Sequence, residues 1–142
     1  MRAALRAEGF IPHPFTAPPG YDFAAFSQSE AFVAFMSGNW VWYAVIVALV
    51  VFNTILGEEL LFRGVLLPRM QGTFGRFDWV ANGLLFAAYH LHTPWVMPAT
   101  LLVDTFALAY PSRRYRSALM GIIVHSSQSV FFFVPLLFLV LQ

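Results

Sequence analysis

Gly57-Glu58-Glu59-Leu60-Leu61-Phe62-Arg63-Gly64 sets two adjacent carboxylates and a guanidinium between apolar runs, 41–56 on one side and 65–67 on the other. Charge in such surroundings is expensive. A carboxylate or arginine near the centre of a bilayer costs roughly 2.5–3.5 kcal/mol on insertion scales, while a leucine returns about 0.3–0.6. Three unpaired charges would cancel the gain from on the order of fifteen leucines. Charges held there against such a cost point to a functional site.

The composition says which solvent surrounds this stretch. The 142 residues are 59% hydrophobic and 11% charged, against about 25% charged in a typical soluble domain. A soluble chain of this size could not hide that much apolar surface, so an all-α, polytopic transmembrane helix bundle is expected. Cysteine is absent, which removes disulfides, thiol nucleophiles and cysteine metal sites. All eight basic residues are arginine and the formal net charge is +1, a balance with no nucleic-acid signature.

Outward from the motif, residues 1–39 form an N-terminal interfacial or loop segment and 40–142 the transmembrane domain. Arg2 and Arg6 are followed by no apolar run of signal-peptide length. Pro12, Pro14, Pro18, Pro19 and Gly20 cannot sustain a helix. Aromatic residues interleaved with polar ones then predict a short interfacial helix over 21–36. Residues 40–56 are the first of about four membrane segments, anchored by Trp40, Trp42 and Tyr43. No proline intervenes before Pro68, so this helix is expected to continue to about residue 67, roughly 42 Å at 1.5 Å per residue. A polar loop follows from Arg69 to Asp78. The second segment is 79–92, the third 96–109 with Asp104 inside it, and the fourth 117–141, with a basic loop at 111–116 between the last two. Basic loops remain cytoplasmic. The second and third segments should then form a hairpin leading out and back, with both termini outside.

Spacing divides the motif. Glu59 and Arg63 lie four apart with the acid first, the favourable order for an ion pair on one helix face, and pairing offsets part of the desolvation cost of both. Glu58 is rotated about 100° from Glu59 on an α-helix and meets Phe62 four residues on. It is the candidate working carboxylate, the alternative being that both glutamates are ionic glue between helices. His90 shares a helix face with Phe86 and Asn82, and His125 with Gln128 and Ser129. Each histidine taken alone suits an interior residue, but with Glu58 they make one carboxylate and two imidazoles on three helices, which a bundle core can bring together. Such a set can activate water by general-base catalysis, or hold zinc through Glu58, His90 and His125 with an open position for water. No His-Glu-x-x-His pattern is present to decide between them. His92, beside Pro94, suits a cap or interface position. His13 carries no assignment.

The motif Glu58-Glu59-Leu-Leu-Phe-Arg63, then Phe86-Ala-Ala-Tyr-His90, then His125 in an apolar helix resembles the three ordered motifs of the CAAX-protease and bacteriocin-processing (CPBP, or Abi) family of intramembrane endopeptidases, over about residues 41–141. The resemblance implies a polytopic helical fold. It also implies hydrolysis of a peptide bond in or beside the bilayer, by water activated at a glutamate and a histidine. Carried over by position, Glu58 is the general base, assisted by His90. Arg63 orients Glu59, Phe86 packs beside the site, and His125 belongs to the oxyanion-stabilising or metal-binding side. The family usually has asparagine or aspartate four residues after that histidine, where this chain has Ser129. Ser129 or Gln128 can donate one hydrogen bond there, and one oxyanion donor is worth about 100–1,000-fold in rate. The family also usually carries further helices before the first motif. A short form, a truncated chain, or a subunit completed as a homo-oligomer would each account for the forty or so residues here.

Membrane lipid and a membrane-associated protein or peptide substrate are the expected partners, in the plasma membrane of a prokaryote. Two other functions use the same residues: a membrane scaffold or bacteriocin-immunity protein that keeps the fold without catalysis, and a proton or ion pathway. Buried polar groups cost stability without a use, which weighs against the scaffold. The ordered motifs weigh against the pathway.

Overall fold

A computed structural model describes residues 17, 20, 21 and 23–142 of the chain. Most of the proline-rich tract, His13 included, lies outside the described residues. The expected interfacial helix is two short ones, α1 (Phe23–Ser27) and α2 (Glu30–Met36). Ser29 separates them: its hydroxyl donates to the Phe26 carbonyl at 2.7 Å and accepts from the Phe32 amide at 3.3 Å, ending one helix and capping the next.

The first long helix, α3 (Trp40–Arg69), has 30 residues. Asn39 caps it, its side chain accepting from the Trp42 amide. Over Asn53–Leu66 the ladder is wider, with π-type i→i+5 bonds such as Leu67 N–H to Phe62 O. Its buried positions Thr54, Glu58, Glu59, Phe62, Arg63 and Leu67 recur every four to five residues, more slowly than the 3.6 of an α-helix. That slower rotation lets both glutamates of the adjacent pair face inward, where an α-helix would turn one away.

After α3, Gly72 and Gly75 adopt φ of +85° and +61° in a tight turn, a conformation open to glycine without the Cβ penalty. Asp78 closes the turn by accepting from the Gly72 and Phe74 amides, both at 3.0 Å. The same residue opens α4 (Asp78–Tyr89). A short 3-10 turn at Pro94–Val96 leads to α5, which covers residues 97–115 and is again π-type over Asp104–Ala109. The last helix is α6 (Ala118–Val140).

One expectation needs correction. Residues 111–115 are helical, where a basic loop was expected at 111–116. Pro111 lacks an N–H and its ring crowds the carbonyl four residues back, but the ladder just before it is already π-type: Tyr110 N–H bonds to Thr105 O. The proline therefore enters a widened turn. The helix ends at Arg116, whose φ is +52°. The helices also differ in length. Of the four expected membrane segments, α3 and α6 are long and apolar enough to cross a membrane. With 12 residues, α4 reaches about 18 Å, short of a hydrocarbon core of about 30 Å, and α5 carries Asp104, Arg113 and Arg114.

Polar and apolar residues are distributed as a lipid solvent requires. Met36, Leu136 and Val140 form a small apolar cluster where α2, α3 and α6 meet. The other end of the buried set is polar, including Glu58, Glu59, Arg63, Asp78, Asn82 and Asp104, whereas Phe131, Val41 and Leu49 are exposed. In lipid, the costly polar groups must be satisfied inside the bundle.

Candidate active site

The polar centre is assembled from three helices. From α3, Glu59 and Arg63 lie at 3.2 Å with both side chains fully buried. From α5, Asp104 offers Arg63 a second carboxylate at 3.5 Å. Arg63 also lies 4.3 Å above the Phe86 ring of α4, a cation–π contact that desolvation strengthens. From α6, His125 Nδ1 is 2.9 Å from Glu59 Oε1, and its Nε2 is 3.6 Å from Glu58 Oε2. Glu58 in turn accepts from Asn53 Nδ2 at 2.8 Å. Arg63 and His125 thus meet the same Glu59 oxygen, Oε1, while Oε2 is buried without a hydrogen-bond partner, and the imidazole stands between the two glutamates.

Close approach of α6 depends on Gly121. A Cβ at that position would stand 2.1 Å from Glu59 Oε2 and 3.2 Å from Ser112 Oγ. A glycine is needed likewise where α4 crosses α5. A Cβ on Gly83 would fall 2.0 Å from Thr105 Oγ1 and 2.9 Å from Thr105 Cα. The second contact is with backbone, so no rotamer relieves it. That crossing brings α4, and with it Phe86 and His90, against the helix bearing Asp104.

His90 sits apart from the Glu58–His125–Glu59 contacts. It is the C-cap of α4, with Nδ1 3.0 Å from the Phe86 carbonyl and its ring 5.0 Å from the Phe86 ring. It shares with His125 an open cavity of about 330 Å³, lined also by Phe86, Thr100, Asp104 and Gln128. Asn82 is fully buried and donates to the Phe62 carbonyl at 2.9 Å, tying α4 to the π segment. Ser129 bonds back to the His125 carbonyl at 3.4 Å and is not among the residues lining that cavity. His92 lies 3.3 Å from the Tyr89 carbonyl and stacks on His90 at 5.9 Å.

Two members of the cluster carried no role in the sequence. Asp104 bore the signal that marked Glu58, a carboxylate inside an apolar run. Asn53 is five residues before Glu58, a spacing that an α-helix does not bring together but the π segment does. The zinc set of Glu58, His90 and His125 does not converge: among the described residues, no three His, Asp or Glu side chains are disposed to hold one ion.

Several carboxylates, an imidazole and a guanidinium, gathered among helices whose outer faces are apolar, define a polytopic membrane protein with a polar interior. The family model described as type II CAAX prenyl endopeptidase, Rce1-like, matches residues 39–131, and the chain belongs to that family. No match was found among curated proteins or among solved structures. The matched span contains the glutamate motif, His90 and His125, in agreement with the resemblance drawn from those residues.

Proposed function

We propose that the chain is an intramembrane endopeptidase that hydrolyses a peptide bond of a membrane-associated protein with water activated at Glu58. The observation that carries this reading is His125, held at 2.9 Å from Glu59 and 3.6 Å from Glu58 on the wall of a cavity that His90 also lines.

Glu58 accepts a proton from the attacking water, and the oxygen adds to the scissile carbonyl. His90 assists from the cavity wall. Glu59, locked by Arg63, accepts from His125 Nδ1 and so fixes the plane of the ring. A second proton on Nε2 then makes an imidazolium flanked by carboxylates, able to donate to the oxyanion as it forms. Gln128 offers an amide on the same wall. Collapse of the tetrahedral intermediate breaks the C–N bond, and the proton held by Glu58 passes to the departing amine. The products are a carboxylate and an amine, with one water consumed.

A prenylated C-terminus, the class named in the family's description, is the first substrate to try, and the proposed setting is the plasma membrane of a prokaryote. Glu58→Gln keeps the shape and the Asn53 contact while removing the base. The purified variant should fold as the parent does and lose cleavage of a prenylated peptide. If it cleaves at the parent's rate, the cluster is structural and the scaffold function gains. Chelator treatment with zinc add-back tests metal use. Activity that falls and returns with zinc would require a coordination geometry different from the one described.

A further inference from the structure

At the end of the bundle away from the α3 N-terminus, the loop after α3 meets the end of α5. Arg113 Nη2 there is 3.7 Å from Asp78. Arg76, Arg113, Arg114 and Arg116 line a cavity of about 500 Å³ together with Trp79 and Tyr110. Four cations face one cavity whose lining contains no acid. Among the described residues, the one carboxylate in ion-pair range of the group is Asp78, already occupied by two backbone amides.

A second cavity of about 290 Å³ adjoins the first, shares Arg113 and Arg116 with it, and is lined also by Ser112 and the start of α6 at Ser117 and Ala118. Ser112 is 3% exposed and its hydroxyl has no hydrogen-bond partner, nor has the buried Nε of Arg113. Unsatisfied buried donors are costly and call for an explanation. The first turn of α6 adds the positive end of its dipole, with the Leu119 and Met120 amides already taken by Ser117. Guanidiniums and a helix start face the same region. The chemistry that satisfies them is an oxyanion, and arginine in particular suits phosphate.

The apolar surroundings say what carries that phosphate. Trp79 contacts Phe106 at 5.5 Å and Tyr110 at 5.2 Å between ring centroids, and Phe106 and Tyr110 are exposed. Such an aromatic strip is suited to the boundary between headgroups and acyl chains. Basic pockets between membrane helices on the cytoplasmic side recognise anionic headgroups. We propose that the arginine-lined cavity at Arg113–Arg116, with Trp79 and Tyr110, binds the phosphate of an anionic phospholipid whose acyl chains lie along Phe106. Arg114 and Arg116 hold the headgroup from the outside, while Arg113 meets its phosphate oxygens from within.

The test uses the purified full chain in nanodiscs of phosphatidylcholine alone or with phosphatidylglycerol, reading retained lipid by native mass spectrometry and thermal unfolding in parallel. Each arginine beside an anionic headgroup contributes about fivefold in affinity. Arg114→Gln with Arg116→Gln should therefore weaken phosphatidylglycerol retention about 25-fold and abolish the thermal stabilisation that this lipid gives the parent. Both side chains are exposed, so folding should persist in phosphatidylcholine. Arg69→Gln is the control, because Arg69 is exposed, bonds to the Val65 carbonyl and lines neither cavity. It should change retention less than twofold. Equal losses for Arg69→Gln and Arg116→Gln, or unchanged retention in the double variant, would overturn the site. Equal protection by inorganic phosphate in phosphatidylcholine discs would overturn the lipid as its ligand.

Discussion

Replacing Gly121 by alanine should damage the active site from a helix that supplies no charge at that position. The new Cβ would stand 2.1 Å from Glu59 Oε2. Restoring an ordinary contact of about 3.4 Å requires a shift of about 1.3 Å (3.4 − 2.1). A glutamate terminus can usually swing away, but this one is fully buried and held at 3.2 Å by Arg63 and 2.9 Å by His125. Either α6 moves outward or one of those contacts breaks. Overpacking of this kind costs about 1–3 kcal/mol, and displacement of a catalytic group by about 1 Å costs on the order of 100-fold in rate. Gly64→Ala provides the comparison. Its Cβ would lie 3.6 Å from Leu60 Cδ2 and 3.8 Å from Ala118 Cβ, both ordinary contacts, and glycine-to-alanine at a compatible position stabilises by about 0.4–1 kcal/mol. The assay is thermal unfolding and cleavage of a prenylated peptide for parent and both variants in one detergent. Gly121→Ala should melt lower and cleave about 100-fold more slowly, while Gly64→Ala melts no lower and retains activity. If the two variants behave alike, the close approach of α6 to Glu59 is wrong.

Three other perturbations follow from the same packing. Gly83→Ala forces a Cβ to within 2.9 Å of the Thr105 backbone and should destabilise by about 1–3 kcal/mol, measured as a lowered unfolding midpoint; parental stability would remove the α4–α5 crossing. Asp104→Asn leaves Arg63 with Glu59 alone and weakens a charged contact at 3.5 Å, so a loss of about 1.5 kcal/mol is expected, and a stability equal to the parent's would show that Asp104 does not hold Arg63. Asp78→Asn cannot accept from both loop amides and should speed hydrogen exchange at Gly72 and Phe74 about tenfold, equivalent to about 1.4 kcal/mol; unchanged exchange would mean that other contacts hold the turn.

Some of this organisation could be read before any coordinates. Few charges and abundant aromatic residues required an apolar solvent, and the four-residue step from Glu59 to Arg63 placed acid and base on one face. The ordered glutamate motif, His90 and His125 carried the family. What escaped depended on helix geometry. An i→i+5 ladder has no periodic sequence signature of its own, so the contact of Glu58 with Asn53 was hidden. Pro68 and Pro111 each follow a π-type stretch by two positions, where the widened ladder admits a proline that would end an α-helix. Asp104 was visible as an isolated carboxylate, but its partner Arg63 lies 41 positions away and no local rule connects them. His90 pairs with Glu58 in the sequence as an imidazole on a separate apolar helix, and the fold puts it at the end of α4 on the wall of a cavity that His125 also lines.

The contacts that complete this cluster join residues far apart in synthesis order. His125 follows Glu59 by 66 positions, which at 5–20 residues per second corresponds to a delay of about 3–13 s. During that interval α3 has Arg63 within its own length to accompany Glu59 into the membrane, while Asp104 and His125 have yet to emerge. The intrahelical pair thus acts as a temporary escort for the charge, and the polar cluster closes when α6 arrives. A nascent chain halted before α6 would carry the paired glutamate without the imidazole that meets it at 2.9 Å.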